Sequence, residues 1–238
     1  MELVLKDCRL NIEDGSINCI MGNNLIVDYL ADINKYNKTV ISVIQPVINQ
    51  IYHENVEEYL EYGLSISRHK KNKVLDSLKL VGLDISLDRD INTLSESETY
   101  KLSLAYALII NPDIIILESP NAFLDNHSLN KLMNILRTIK RRYQKTIIIF
   151  SNDSDFVHSI ADKVILICDK KYLIEGNKYE VFNNLEDLNE CGISVPKIIE
   201  FEHLIESKKN IHIGYRDNVN DLIKDICFFT PINKVKDK

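Results

Sequence analysis

The chain has 238 residues, 45% of them hydrophobic and 27% charged, enough to bury a full core; this excludes disordered, collagen-like and mini-protein classes. With 29 Lys and Arg against 35 Asp and Glu the net charge is −6, a poor balance for general nucleic-acid binding, which needs a basic surface to neutralise phosphates. Glycine is scarce, 7 in all, and that bears on any phosphate-cradling loop. No apolar run reaches the roughly 18–20 residues that span a bilayer. The N-terminal MELVLKDCRLNIEDG is charged throughout, with no signal-peptide apolar stretch, so a cytosolic protein is expected. Cys8, Cys19, Cys168, Cys191 and Cys227 are scattered with no CxxC pair, and buried reduced thiols are expected rather than metal ligands.

In chain order, short β-branched runs alternate with helical patterns. The runs are Ser16–Met21, Thr39–Ile44, Asp113–Glu118, Thr146–Ser151 and Lys163–Cys168. Each is apolar on both faces, the mark of buried parallel strands. Between the first two, Leu25, Ile26, Tyr29, Leu30 and Ile33 share one helical face, with Asn23 or Asn24 as cap. The stretch from about Tyr52 to Ala107 reads as mainly helical. After Asn126 a long amphipathic helix is expected, with Leu129, Leu132, Met133, Leu136 and Ile139 on one side. KKYLIEGNK reads as a hairpin closing the sheet. From about Leu185 the character changes, and Pro196 opens a helix-like PKIIEFEHLIESKK. The fold class expected is α/β, a parallel sheet flanked by helices.

The most informative stretch is LSESETYKLSLAYALIINPDIIILESPNAFLD, Leu94–Asp125. It resembles the core of ATP-binding cassette ATPases, P-loop NTPases in which an LSGGQ-type signature opens a helix. That helix runs to an NP-like turn, a strand ending in DEP and a D-loop ending in LD. The spacing here needs no gap. Gln45 in SVIQ resembles the Q-loop, and FSNDSDFVHSIADKVILI resembles the switch strand and following helix. QPVINQIYHENVEEYLEYGL and the tail LNECGISVPKIIEFEHLI…NVNDLIKDI are similar to the energy-coupling factor transporter ATPases. The resemblance implies an ATPase-like domain over 1–184, a helical subdomain at about 52–107 and an α-rich C-terminal extension over 185–238.

The departures from that family are as informative as the likeness. Where it has GxxGxGK[ST], this chain has Gly22, Asn23, Asn24, Leu25, Ile26, Val27, Asp28 and Tyr29. Only the first glycine persists, and side chains would crowd the anion nest. Asp28 falls where the lysine belongs. A unit charge at ~4 Å is worth about 4 kcal/mol at an effective dielectric near 20, here with the wrong sign for a triphosphate. Glu118 stands at the Walker B position that organises Mg²⁺. Ser119 stands at the catalytic glutamate position, and a hydroxyl is a poor general base. Asn152 stands at the switch histidine position and does not titrate. In the signature Leu94 and Ser95 persist, while Glu96, Ser97 and Glu98 replace GGQ, and the resemblance implies that Glu96 and Glu98 sit near a nucleotide held by an opposing subunit, again with the wrong sign. The strands that follow the family's first helix are not found, nor is an aromatic to stack on adenine.

Local readings stand beside these. Gln45 has a lesser reading as a polar strand end, while Glu118 reads equally as a plain strand-end carboxylate and Asp125 equally as a helix cap or a D-loop residue. Asn152 and Asp153 fit capping of SDFVHSIA better than chemistry. The basic RTIKRR run with Lys145 fits a solvated helix end better than a phosphate site. The resemblance implies ATP and Mg²⁺ at the family's site, binding by this chain being doubtful. It also implies a second ATPase subunit, a transmembrane coupling subunit, a substrate-binding membrane component and no nucleic acid. The place implied is the cytoplasmic face of a membrane. The function expected is a degenerate subunit working beside an intact ATPase in solute uptake. An active ATPase, or a binding or regulatory module without a membrane partner, is the alternative.

Overall fold

A computed structural model of the chain describes residues 2–5, 8–22, 39–44, 47–64, 70–122, 124–168, 172–209 and 220–224. Its centre is a sheet of β3 (Ile17–Gly22), β4 (Val40–Val43), β5 (Ile114–Glu118), β6 (Thr146–Phe150), β7 (Lys163–Cys168) and β8 (Tyr172–Asn177). The strand order is β4-β5-β6-β3-β7-β8. Neighbours from β4 to β7 run parallel. The last pair, β7 with β8, is antiparallel, so the sheet is mixed, and the KKYLIEGNK stretch supplies one edge strand, Tyr172–Asn177, rather than a hairpin of its own. Ile114–Leu117 and Ile147–Phe150 are buried residue by residue, which is why these runs show no alternation.

Before this sheet β1 (Glu2–Leu5) and β2 (Cys8–Asn11) form a separate antiparallel pair that the sequence reading does not anticipate. Four-residue strands carry too little periodicity to stand out.

Three helices fill the middle of the chain: α1 (Val56–Leu64), α2 (Lys70–Val81) and α3 (Glu96–Ile110). Helix α3 packs on both α1 and α2, and it buries Tyr100, Leu102, Leu104, Ala105, Ala107 and Ile109. Such all-round burial marks a hub rather than a surface helix. Close packing with α1 depends on Gly63, where a Cβ would lie 2.9 Å from the Tyr106 ring. Asn111 ends α3 in the left-handed conformation (φ 55), and Pro112 prevents its continuation.

Helix α4 (Asn126–Tyr143) buries Leu132, Leu136 and Ile139 on the expected face. The basic run within it is not simply solvated. Arg137 donates to Ser159 O at 2.8 Å, Lys140 pairs with Asp162 at 2.7 Å, and Lys145 donates to Asn111 O at 3.2 Å.

The rest of the chain is α5 (Ser154–Ile160), α6 (Lys178–Asn183), α7 (Leu185–Glu190), α8 (Lys197–Lys209) and a short helical piece at 220–224. One expectation fails here. Cys168 and Cys191 are joined in a disulfide instead of standing as separate thiols, because the end of β7 and the end of α7 approach to 4.8 Å between Cα atoms. Cys19 is a buried free thiol, as expected. No helix among the described residues is long and apolar enough to cross a membrane.

Candidate functional site

The parallel strands deliver their C-terminal ends to one edge of the sheet, where ligand-binding loops of such folds are carried. Gly22 ends β3 with φ 133, and a Cβ there would lie 2.2 Å from Ile167 O. That approach, together with the backbone angle, requires glycine. The residue's N–H donates to Asn152 Oδ1 at 2.8 Å, and Asn152 Nδ2 donates back to Gly22 O at 3.3 Å. The amide at the switch position is therefore engaged by the backbone at the mouth of the glycine loop. Asn23, Asn24, Asp28 and Gln45 lie outside the described residues.

Beside this pair, β5 ends in half-buried Glu118, and Ser119 follows at φ 42, a left-handed conformation that a serine adopts only under constraint. The constraint is visible. Ser119 N–H donates to Phe150 O at 2.8 Å, and Ala122 N–H returns to Ser119 O at 3.0 Å. Asn121 then links the turn to the switch strand, donating to Asp153 Oδ2 at 2.8 Å and accepting from Ser151 Oγ at 3.1 Å. Asp153, not Asn152, caps α5, accepting from Phe156 N–H at 3.0 Å. Below Glu118 lies Tyr100, fully buried, its hydroxyl without a hydrogen-bond partner. Burial, with the charge of Glu118 adding to it, pushes this phenol well above its ordinary value.

The start of α3 is built differently. Ser95 is the N-cap in a complete capping box, with Glu98 N–H donating to Ser95 Oγ at 3.3 Å and Ser95 N–H to Glu98 Oε2 at 2.9 Å. Glu98 also pairs with Arg89 at 2.9 Å. The hydrogen bond from the Ser95 backbone, then its hydroxyl and Arg89, hold the Glu98 carboxyl below the usual carboxylate range. The charge of Glu98 is thus paired within the chain. Glu96 is exposed, and Leu94 is partly buried against the core. Asp125 is a helix cap, accepting from His127 and Ser128 N–H at 2.9 and 3.0 Å, and the Ser128 donors lower its carboxyl pKa.

Sequence reading missed Asn121, Ser151 and Arg89. Each is an ordinary polar residue whose role exists only once distant strands meet. Chemically, Ser119 and Asn152 do not ionise near neutral pH, so neither takes a proton from water there. Among the described residues no three His, Cys, Asp or Glu side chains gather as a metal set.

A second surface lies after β4. Gln50 donates to Ile44 O at 3.0 Å and fastens the strand's exit. Beyond it, Tyr62 (65% exposed) stands out of an aromatic group with His53, Tyr59 and Tyr106, and Tyr52 (89%), Glu54, Glu57, Glu58 and Glu61 are exposed.

No protein-family profile matches the chain. Individual relatives do. An energy-coupling factor transporter ATP-binding protein of Methanocaldococcus jannaschii is 29% identical over 205 residues, 84% of this chain and 71% of its own length. Those of Clostridium perfringens and Methanococcus maripaludis are each 30% identical, over 81% and 79% of this chain and 69% and 71% of their own. Among solved structures, cbiO1 from Clostridium perfringens, part of an ABC transporter complex, superposes with TM-score 0.64 at 23% identity, covering 85% of this chain and 92% of its own. A dimeric ATP-binding cassette bound to ADP and phosphate superposes with TM-score 0.61 at 22% identity over 73% of this chain and 90% of its own. At these identities the structures establish the fold, a P-loop NTPase sheet flanked by helices, and the sequence relatives establish the rest: the chain belongs to the energy-coupling factor transporter ATP-binding proteins of the ABC ATPase family.

Proposed function

We propose that this chain is a non-hydrolysing ATP-binding-cassette subunit of an energy-coupling factor type transporter. It works at the cytoplasmic face of the membrane, beside an intact ATPase that drives solute uptake. The observation that carries the reading is the Ser119–Asn152 pair of positions. The first offers a hydroxyl where water activation needs a base, and the second has its amide closed on the Gly22 backbone. Asp28 and the lost loop glycines add to it, since a carboxylate near terminal phosphates is repelled by them.

In this reading residues 1–184 form the cassette-like domain, about 52–107 its helical part, and 185–238 an extension. When ATP and Mg²⁺ are held by the partner subunit, they supply the free energy of closure. This chain contributes the Ser95 end of α3 to the facing surface and a stiff hub, α3 packed on α1 and α2, to carry movement. The aromatic and acidic face at Tyr52, Tyr62, Glu54, Glu57 and Glu58 suits a basic, amphipathic coupling segment of a transmembrane subunit.

The test is calorimetry of the purified chain with Mg-ATP, followed by co-expression with an intact relative and its membrane subunits. Weak or undetectable binding by the chain alone, with co-purification of the assembly, is expected. Sub-millimolar affinity with phosphate release by the isolated chain would overturn the non-hydrolysing part. Failure to assemble with any membrane subunit would overturn the transporter part.

A further inference from the structure

The two cysteines joined in this fold come from elements with different jobs. Cys168 is the last residue of β7 and is buried, and Cys191 caps the C-terminal end of α7 and is partly exposed. Their Cα atoms lie 4.8 Å apart across 23 residues of sequence, within the span a disulfide requires. The chain after Cys191 is laid on the first turn of α5, two or three residues past Asn152. Ser194 Oγ lies 3.1 Å from Ser154 Oγ, and Lys197 N–H donates to Asp155 Oδ1 at 2.7 Å. Lys197 Nζ lies 3.2 Å from Asp155 Oδ2. The Lys197–Asp155 contacts are solvent-facing, and exposed ion pairs contribute little alone. Leu188, Ile193 and Ile199 bury the apolar side of this segment in the core, and the covalent bond adds a second attachment.

We propose that Cys168 and Cys191 form a reversible oxidation site that ties residues 185–209 to the sheet beside the switch helix. This inference does not rest on the proposed transporter role. The oxidant is a low-molecular-weight disulfide. The Cys191 thiolate, the more accessible of the two, attacks one of its sulfurs and expels one thiolate. The Cys168 thiolate then attacks the Cys191 sulfur of the mixed disulfide and expels the second. One S–S bond forms in the protein as one breaks in the oxidant, and the two cysteine protons leave with the two released thiols. Excess small thiol reverses both steps. Cys19 is the internal contrast. It is fully buried, and burial, with Asp162 adding to it, pushes its thiol well above its usual value, so little thiolate is present to react.

The experiment equilibrates the full-length protein in graded ratios of glutathione to glutathione disulfide, traps free thiols by alkylation and maps peptides by mass spectrometry. Expected is a Cys168–Cys191 cross-link that forms and disappears with the ratio while Cys19 stays reduced. The oxidised form should melt about 5–10 °C higher, from closure of a loop of this length. Protease cleavage between 185 and 209 should slow several-fold. Cys191→Ser and Cys191→Ala should remove the dependence of melting on the ratio, and if either fails to fold the wild-type trapping still decides. Thiols at 168 and 191 that stay alkylatable at every ratio would overturn the proposal, as would a cross-link that persists in excess reductant under native conditions.

Discussion

The start of α3 and the exit of β6 both carry residues that depart from the ATPase pattern, and they absorb them in different ways. At α3, Glu98 closes a capping box with Ser95 and pairs with Arg89, all within ten residues of chain. At β6, Asn152 reaches across 130 residues of sequence to hold the backbone of Gly22. The first substitution is self-contained and stabilises one helix end. The second ties two strands together at the place where a phosphate loop begins. In both places the side chain satisfies polar groups of the chain itself, which keeps the scaffold ordered.

This contrast breaks most readily at Gly22. Gly22→Val puts side-chain atoms into Ile167 O and imposes a left-handed angle on a β-branched residue. A loss of about 3 kcal/mol or more is expected in urea unfolding; a change under about 1 kcal/mol would mean that β3 and β7 are not so close. Ser95→Ala should cost about 1 kcal/mol by removing the cap, with the effect confined to α3 in hydrogen exchange. Asn152→Ala, on an exposed residue, should cost about as much or less, yet speed exchange at the Gly22 amide. If both substitutions loosened the same amides, the two ends would not be independent.

The fold was legible where burial is complete. Runs such as Ile114–Leu117 had to be internal strands, and the apolar positions of α4 fell on the face that the structure buries. The β1–β2 pair was not legible, since its strands are too short to show a period. Of the site, Asp125 and Asp153 as caps could be read from local order alone. The Asn121–Asp153 link and the Asn152–Gly22 pair could not, because they depend on strand neighbours that only the tertiary register brings together. The Cys168–Cys191 bond was missed for the same reason: spacing of 23 residues carries no signal without the crossing of β7 and α7.

Acid should act more on the capped ends than on the sheet edge. Glu98 and Asp125 both have carboxyl pKa values depressed in the folded state by Ser95 and Ser128 donors. A depressed folded value means stabilisation that is complete above the unfolded value, near pH 4, and lost as pH falls through the folded one. Melting temperature should therefore decline as pH drops below about 4. Asp125→Asn should flatten part of that decline by lowering melting slightly at neutral pH while changing it least in acid. An unaltered acid limb in this variant would remove Asp125 from the account.

The smallest effect expected is at Tyr100, and its sign is what matters. Its hydroxyl is buried without a partner, near the charge of Glu118 at the strand end. An unsatisfied buried hydroxyl costs stability that its removal returns. Tyr100→Phe should accordingly leave unfolding free energy unchanged or raise it by up to about 1 kcal/mol, whereas Glu98→Ala at the same helix's first turn should lower it. A loss in Tyr100→Phe of more than about 1 kcal/mol would show that this hydroxyl is satisfied in solution, and that the base of the Glu118 strand end is wetter and more polar than its packing suggests.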